Sequence, residues 1–359
     1  MKLIIYQAEC GDALRIEFTG SDRQTHHILI DSGFERTYRN ILHAELKELE
    51  NTDQSFDLCI ISHIHDDHIG GAIAYIRSIK NKSIPDIVQQ WIYNPPRGNG
   101  HKKNFIQEIS TAKSIAQGDV LASYLKSIKK LSSQDFTNEI RPTDLYGLKL
   151  TFLSPDKTSL KALRTKYPEG KRNPFEREES TDISLAKAKL KSDYHIRLKD
   201  FSLTHTTEDI SVENGSSIAV LVEHNGIKFL NLADSHPSVI VTSLKNAGYT
   251  ESEPLICNWV KVAHHGSKEN NLSQLYDMIL CNHFIISSNG INKYKLPAKQ
   301  CLATIIRSSK RTKATCHLYF TYDTPALREI FKIDGDSIFD ELNFRVHFSG
   351  KPHLVFQSK

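Results

Sequence analysis

An α/β fold is the class this sequence predicts, on three observations. Apolar runs of strand length alternate with segments of helical spacing. The residues with the richest chemistry fall where apolar runs stop, at the carboxyl ends of expected strands. With 359 residues, 39% hydrophobic and 25% charged, the chain is comfortable as one large domain carrying insertions. That balance excludes wholesale disorder and a fibrous chain. No stretch approaches the ~20 consecutive apolar residues that cross a bilayer, so no membrane partner is expected. The opening MKLIIYQAECGDALRIEF has a short apolar run interrupted by Glu9 and Asp12, which predicts no secretion signal. The six cysteines form no C-x-x-C pair. They fit a reducing cytoplasm and argue against zinc ribbons and redox motifs.

Taken in order, KLIIYQA reads as a strand, Gly11-Asp12 as a turn, ALRIEF as an alternating strand, and HHILIDSG as a strand closing on a glycine turn. Residues 37–50 have helical spacing. FDLCIIS is too short for a helix and reads as a strand buried on both faces. It stops at HIHDDHIGG, and the helix-like AIAYIRSIK follows. A strand (IVQQWIY), a turn over residues 94–98, a basic helical stretch around 117–131 and a strand (LKLTFLSP) come next. We read residues 99–146 as a basic helical excursion and 157–210, polar and broken by Pro168, Gly170 and Pro174, as an insertion, part helix and part loop. SSIAVLVE and IKFLNLAD flank Asn225-Gly226, a favoured hairpin turn. A helix over 236–247, strands LICNWVKVA and HFIISS, a helix LATIIRSS, and strands CHLYFTY and FRVHF complete a single domain over 1–359.

Charge is unevenly spread. Net charge is only +4, yet residues 76–131 carry ten Lys/Arg against three Asp/Glu, and 157–200 carry twelve against seven. Such segments suit a polyanion-binding face, with solvated helix faces as the plainer account.

The centre of the site reading is Ser62-His63-Ile64-His65-Asp66-Asp67-His68. A lone histidine is usually structural. Three histidines and two aspartates directly after a buried strand are not explained by packing. Imidazole with carboxylate suits Zn, Mn or Fe-type ions rather than Ca. Asp234 ends another strand and His264-His265 a third. Singly these read as turn or cap residues. Together they predict a binuclear centre in which Asp234 bridges two cations.

These residues resemble the metallo-β-lactamase fold superfamily, whose H-x-H-x-D-H motif stands here as His63, His65, Asp67 and His68. Asp31, in HILIDSG, matches that family's first motif, which implies a supporting role. The resemblance is strongest to the metallohydrolase domain of ComEC-type competence proteins. Their N-x-x-S strand is Asn214 to Ser217, their K-V-x-H-H-G-S motif Lys261 to Ser267, and their late S-x-G-x-N-x-Y segment Ser288 to Tyr294. It covers roughly residues 1–98, 147–156 and 212–310. What it implies is a four-layer αββα sandwich with a polar, basic insertion, and nuclease activity on DNA in preference to RNA. It also implies a setting beside an ATPase or other subunit of an anti-phage system. Three departures stand out. The histidine that many members place ahead of the bridging-aspartate hairpin is Asn214, leaving His195 or His205 as the insertion's candidates to replace it. The usual glycine before that aspartate is Ala233. The later Y-x-H-P reads Tyr294-Lys295-Leu296-Pro297, without its histidine.

Two cations ~3.5–4 Å apart hold a hydroxide at neutral pH and stabilise both oxygens of an in-line displacement. The metal ligands are therefore expected to be His63, His65, Asp67, His68, Asp234 and His265, around two divalent ions, Zn or Mn. Asp67 also orients the attacking hydroxide, and His264 faces the scissile phosphate as proton source. Sequence alone does not order the last two histidines. Ser267, Asn214, Lys261 and Tyr294 are the expected substrate contacts. Trp91, Tyr93, Tyr124, Tyr167 and Tyr194 offer aromatics near the basic segments. Two alternatives to a nuclease are a hydrolase of a small phosphodiester or ester, with 157–210 as a lid, and a non-catalytic assembly subunit that keeps the fold.

Overall fold

The computed structural model describes residues 1–98, 113–168, 192–204, 206–308 and 312–357, and within them the apolar alternation becomes two large sheets. In chain order the strands are β1 Lys2–Tyr6, β2 Ala13–Thr19, β3 Thr25–Ser32, β4 Phe56–Ile60, β5 Val88–Ile92, β6 Thr143–Leu145, β7 Leu148–Ser154 and β8 Ala219–His224. They continue with β9 Ile227–Asn231, β10 Leu255–Ile256, β11 Trp259–Lys261, β12 Ile279–Leu280, β13 His283–Ile286, β14 Cys316–Phe320, β15 Phe344–Phe348 and β16 His353–Gln357. The main helices are α1 His43–Asn51, α2 Asp66–Lys80, α3 Lys113–Ser127, α4 Lys157–Lys166, α5 Pro237–Asn246, α6 Ser273–Asp277 and α7 Lys299–Arg307.

The six-stranded sheet runs β16-β1-β2-β3-β4-β5 and the eight-stranded sheet β15-β14-β13-β11-β9-β8-β7-β6. Each is antiparallel at one side and parallel at the other. β3, β4 and β5 are parallel, as are β9, β11, β13, β14 and β15. Parallel strands need cover on both faces, which is why FDLCI of β4 is almost wholly buried.

Three apolar clusters set the layers. Leu3, Ile5, Leu14, Ile30, Ile60, Leu150, Phe152, Val222 and Phe229 join the two sheets face to face. Behind the first sheet, Ile4, Leu29 and Cys59 meet Leu46 of α1, Ile73 of α2, Leu121 of α3 and Leu163 of α4. Behind the second, Leu221, Leu230, Val260 and Leu318 meet Leu244 of α5, Leu275 of α6 and Leu302 of α7. Helix, sheet, sheet, helix is the resulting order, the αββα sandwich expected.

Several local readings need correction. The helix expected over 37–50 begins earlier and passes through a π-helical stretch, Tyr38–Leu42, before α1. LICNWVKVA is not one strand. It breaks at Cys257-Asn258, where Asn258 Oδ1 accepts the Lys228 N–H (2.8 Å) and the Asn258 N–H goes to the Lys228 carbonyl (2.9 Å). β16 went unread, because HLVFQ shows little alternation, yet it pairs with β1 and edges the first sheet. Two described parts of the stretch expected as an insertion are tied into the fold. Asp156 caps α4 by accepting the Ser159 N–H (2.7 Å), and the Asp193 carboxylate accepts the N–H groups of Lys299 and Gln300 (2.8 Å each) at the start of α7.

α2 must sit tight on the end of β3 to present the histidine cluster. Gly71 permits it: a Cβ there would lie 2.2 Å from the Ser32 carbonyl oxygen, and the Gly71 N–H already bonds Gly33 O at 2.8 Å. Gly71→Ala is expected to lower stability by about 1–3 kcal/mol, read as a fall in the denaturant midpoint with the slope unchanged.

Candidate metal centre

The candidate residues reach one place from four strand ends. Asp31 closes β3; His63 and His65 lie on the loop after β4, and Asp67 and His68 on the first turn of α2; Asp234 follows β9; His264 and His265 follow β11. Asp66 beside them is drawn away by α3, whose Lys113 and Gln117 both bond its carboxylate at 2.6 Å. That leaves Asp67 to face the cluster.

Asp234 is the hub. It is buried, and neither carboxylate oxygen has a hydrogen-bond partner. Around it stand His68 Nε2 at 3.3 Å from Oδ1, and His264, His63 and His265 Nε2 at 3.7, 3.8 and 3.8 Å from Oδ2. Asp67 Oδ2 lies 3.3 Å from His265 Nε2. Two donor groups emerge, His63-His65-Asp234 and Asp67-His68-His265, with all donor atoms of each within 4.8 Å of one another. A third, Asp12-His68-Asp234, shares members with them.

Three imidazoles are anchored at Nδ1. His68 Nδ1 bonds Asp31 Oδ2 (2.8 Å), and His265 Nδ1 bonds the Ser287 carbonyl (3.1 Å). Ser62 Oγ donates to Asp31 Oδ2 (2.8 Å), so at 3.0 Å it accepts from His63 Nδ1. The Nε2 atoms of His63, His68 and His265 are buried without a partner. An anchored Nδ1 with a bare Nε2 is how proteins hold metal-ligating histidines.

This donor set fits divalent cations. Bonds of 2.0–2.1 Å around a tetrahedral ion place neighbouring donors about 3.4 Å apart, near the spacings about Asp234. Electrostatics agree. Burial, with His68 and His65 nearby, pushes His63 well down, so that ring is neutral. Burial opposes charge on His68 but Asp234, Asp31 and Asp67 outweigh it, and the ring is pushed well up; His265 is raised likewise by Cys10, Asp234 and Asp12 against burial. Asp234 is driven far below the usual carboxylate range, burial being overcome by His68, His264 and His265. The pocket carries an excess of negative charge that protons and cations compete to neutralise.

Other expected site residues sit differently. Lys261 does not reach toward substrate: it is fully buried and its ammonium pairs with Asp12 behind the ligands. Asp12 Oδ1 in turn lies 3.5 Å from His265 Nδ1. Ser267 Oγ donates to Glu269 Oε2 (3.0 Å), a turn contact rather than a phosphate contact. Tyr294 is exposed on the turn after Asn292, its N–H bonded to Asn292 Oδ1 (3.1 Å). Asn214 is buried, its Nδ2 donating to Asp209 Oδ2 (2.6 Å), its Oδ1 without a partner. His264 Nδ1 bonds Asn270 Oδ1 (2.8 Å) and its Nε2 lies 3.7 Å from Asp234 Oδ2. His195 faces its own turn, at 3.1 Å from Ser192 O, and His205 lies outside the described residues.

Several described cations of the basic segments, from which a polyanion face was expected, are ion-paired. Arg97 pairs with Asp119 (3.0 Å), Lys130 with Asp86 (2.9 Å), Lys157 with Glu139 (2.6 Å), Arg164 with Asp135 (2.6 Å) and Lys166 with Glu213 (2.7 Å). Trp91, Tyr93, Tyr124 and Tyr167 are core residues rather than stacking platforms, and Tyr194 packs on the core behind the second sheet. Lys102, Lys103 and the cations from 171 to 191 lie outside the described residues.

Asp12, Asp209, Asn270 and Ser287 were missed as site residues, and Ser62 stood in the motif without a role. Gly11-Asp12 reads as an ordinary turn, although its place after a strand is the place the ligands occupy. Asp209 and Asn270 carry no signal beyond being polar.

An α/β sandwich with a histidine and aspartate cluster at its strand ends is the class defined here, and one family model points the same way. Residues 21–94 match the family model described as the Metallo-beta-lactamase superfamily. That superfamily is typically one of metal-dependent hydrolases that bind divalent metals, often zinc. No curated protein matches the sequence. Among solved structures, the metallo-beta-lactamase fold protein YhfI from Bacillus subtilis aligns over 99% of this chain and 98% of its own, at 10% identity and a TM-score of 0.39, a loose likeness.

Two outcomes are expected. Zinc binding releases protons, because cations displace those held by His68 and His265; apparent affinity rises with pH through and above the ordinary histidine range, as calorimetry in buffers of different ionisation heat will show. Asp31→Asn, by loosening His68, weakens zinc binding about 10–100-fold.

Proposed function

We propose that the chain is a metal-dependent hydrolase of phosphodiester bonds, acting first of all as a nuclease on DNA. The observation that carries the hydrolase reading is Asp234, a buried carboxylate with both oxygens bare inside a ring of imidazole Nε2 atoms. His63, His65 and Asp234 would hold one cation, and Asp67, His68, His265 and Asp234 the other. Zn or Mn there would polarise phosphoryl oxygens and lower the pKa of a water molecule.

The chain's own residues do the rest. Asp67, held ionised by His68 and His265 against the effect of burial, is placed to accept a hydrogen bond from the attacking water. Asp31 and Ser62 keep the rings of His68 and His63 from turning. DNA as substrate, and a setting beside an ATPase in anti-phage defence, rest on the ComEC-like motifs alone.

A specific observation favours a second reading, a small phosphodiester or ester. The described cations of the basic segments are mostly ion-paired, and the nearby aromatics are buried. A strand of nucleic acid would have to outbid those carboxylates.

The test is hydrolysis of single- and double-stranded DNA, RNA and bis-p-nitrophenyl phosphate by protein loaded with Zn or Mn. Asp67→Ala is expected to cut the rate by about 100-fold or more with its melting curve retained. Cleavage of the small ester with every nucleic acid spared moves the assignment to the second reading. Undiminished cleavage by metal-stripped Asp67→Ala sinks both.

A further inference from the structure

We propose that His264 is a metal ligand, supplying the first cation with the donor that Asn214 leaves out, and that Asn270 and Asp209 position its ring. The inference rests on the two-cation reading above and adds to it a residue expected to serve the substrate.

The backbone comes first. His264 (φ 44°, ψ 53°) and His265 (φ 54°, ψ 19°) are consecutive left-handed residues, and neither is glycine. Residues with a Cβ are disfavoured there, and two in a row are found where something over-determines them. In an extended chain, neighbouring side chains point to opposite sides. Here both Nε2 atoms come within 3.7 and 3.8 Å of the same oxygen, Asp234 Oδ2. The strained turn converts two adjacent histidines into a convergent pair.

The ring's protonation pattern follows from its partners. Asn270 Nδ2 faces only acceptors: Asp209 Oδ2 (3.0 Å), Asp234 O (3.1 Å) and Ser235 O (3.3 Å). Its other amide atom, at 2.8 Å from His264 Nδ1, is therefore the oxygen, and Nδ1 must carry the hydrogen. Of its other neighbours, Asp209 Oδ2, 3.7 Å from Nδ1, only accepts, and Asn214 Nδ2, at 3.4 Å, gives one of its two hydrogens to Asp209 Oδ2 at 2.6 Å. So Nδ1 is tied down, as in His63, His68 and His265, and Nε2 is the atom left facing Asp234. A phosphate-facing acid would carry a further proton on that Nε2, a role that the metal count in His264→Asn separates from ligation.

Donor number agrees. Asp67, His68 and His265 form one group of three without Asp234, and His63, His65 and Asp234 a group of three with it. If Asp234 is shared, His264 brings the two ions to the same number of protein donors, and an attacking water would be a fifth, a number zinc accepts. His264 Nε2 and His63 Nε2 lie almost equally far from Asp234 Oδ2, at 3.7 and 3.8 Å. The rival is the bare amide oxygen of Asn214, a weaker donor to zinc than imidazole.

The experiment counts zinc by elemental analysis and isothermal titration on the full chain, and follows Co(II) absorption as a report on coordination. His264→Asn is the main variant, because asparagine tolerates a left-handed backbone while its side chain stops short. Expected are two ions in the wild type, and one ion retained with the other weakened about 100-fold or more in His264→Asn. Asn270→Ala should weaken that same ion about 10–100-fold with the ring itself intact. Asn214→Ala should leave both ions in place. Two ions at wild-type affinity in His264→Asn, with turnover lost, make His264 a proton carrier and overturn the proposal. So does loss of an ion from Asn214→Ala but not from His264→Asn. A wild type that binds no zinc instead removes the two-cation reading beneath it.

Discussion

A carboxylate enclosed in protein and hydrogen-bonded to nothing is an expensive object, and Asp234 is one. Isolated charges are not tolerated in the interior unless paired or bound to metal. Here the surrounding charge is supplied by imidazoles, and each ring is useful only while its outer nitrogen is tied down. The polar architecture behind the cluster follows from that constraint. Asp31 braces His68 directly and His63 through Ser62, and the Ser287 carbonyl braces His265. Asp12 adds a second carboxylate close behind His265, and the enclosed ammonium of Lys261 balances it.

The fold serves this arrangement by bringing carboxyl ends of parallel strands from two sheets to one edge of the sandwich. β3 and β4 deliver Asp31 and the His63–His68 loop, while β9 and β11 deliver Asp234 and the paired histidines. Parallel pairing makes this possible, because ends of neighbouring strands lie side by side. Close approach then matters at single positions. At Gly11, an added Cβ would meet the Asp67 carbonyl oxygen at 2.4 Å. Ala233, where related motifs carry glycine, accepts a φ of 46° immediately before Asp234.

Much of this was legible in the sequence, and the reasons are local. His63, His65, Asp67 and His68 sit within one short stretch after an apolar run, so their clustering needs no tertiary information. Asp234 and His265 announce themselves by ending strands. What sequence could not carry is direction. Lys261 reads as a substrate cation until its strand is seen to turn it inward to Asp12, and nothing in the motif of His264 shows that Asn270 holds its Nδ1. The basic segments misled for a related reason. Composition counts charges but not their partners, and Arg97, Lys130 and Arg164 have carboxylates 22, 44 and 29 residues away in the chain. Strand β16 was lost because its alternation is faint, though five of its residues register with β1.

The cluster draws its donors from both halves of the sandwich: the H-x-H-x-D-H loop belongs to one sheet, Asp234 and the histidine pair to the other. Cations seated there would rivet the layers together, so occupancy and folding share one free energy. Each ion contributes in proportion to the logarithm of its free concentration over its dissociation constant. A cell starved of the right metal would then lose the protein itself, through unfolding and turnover, as well as its chemistry.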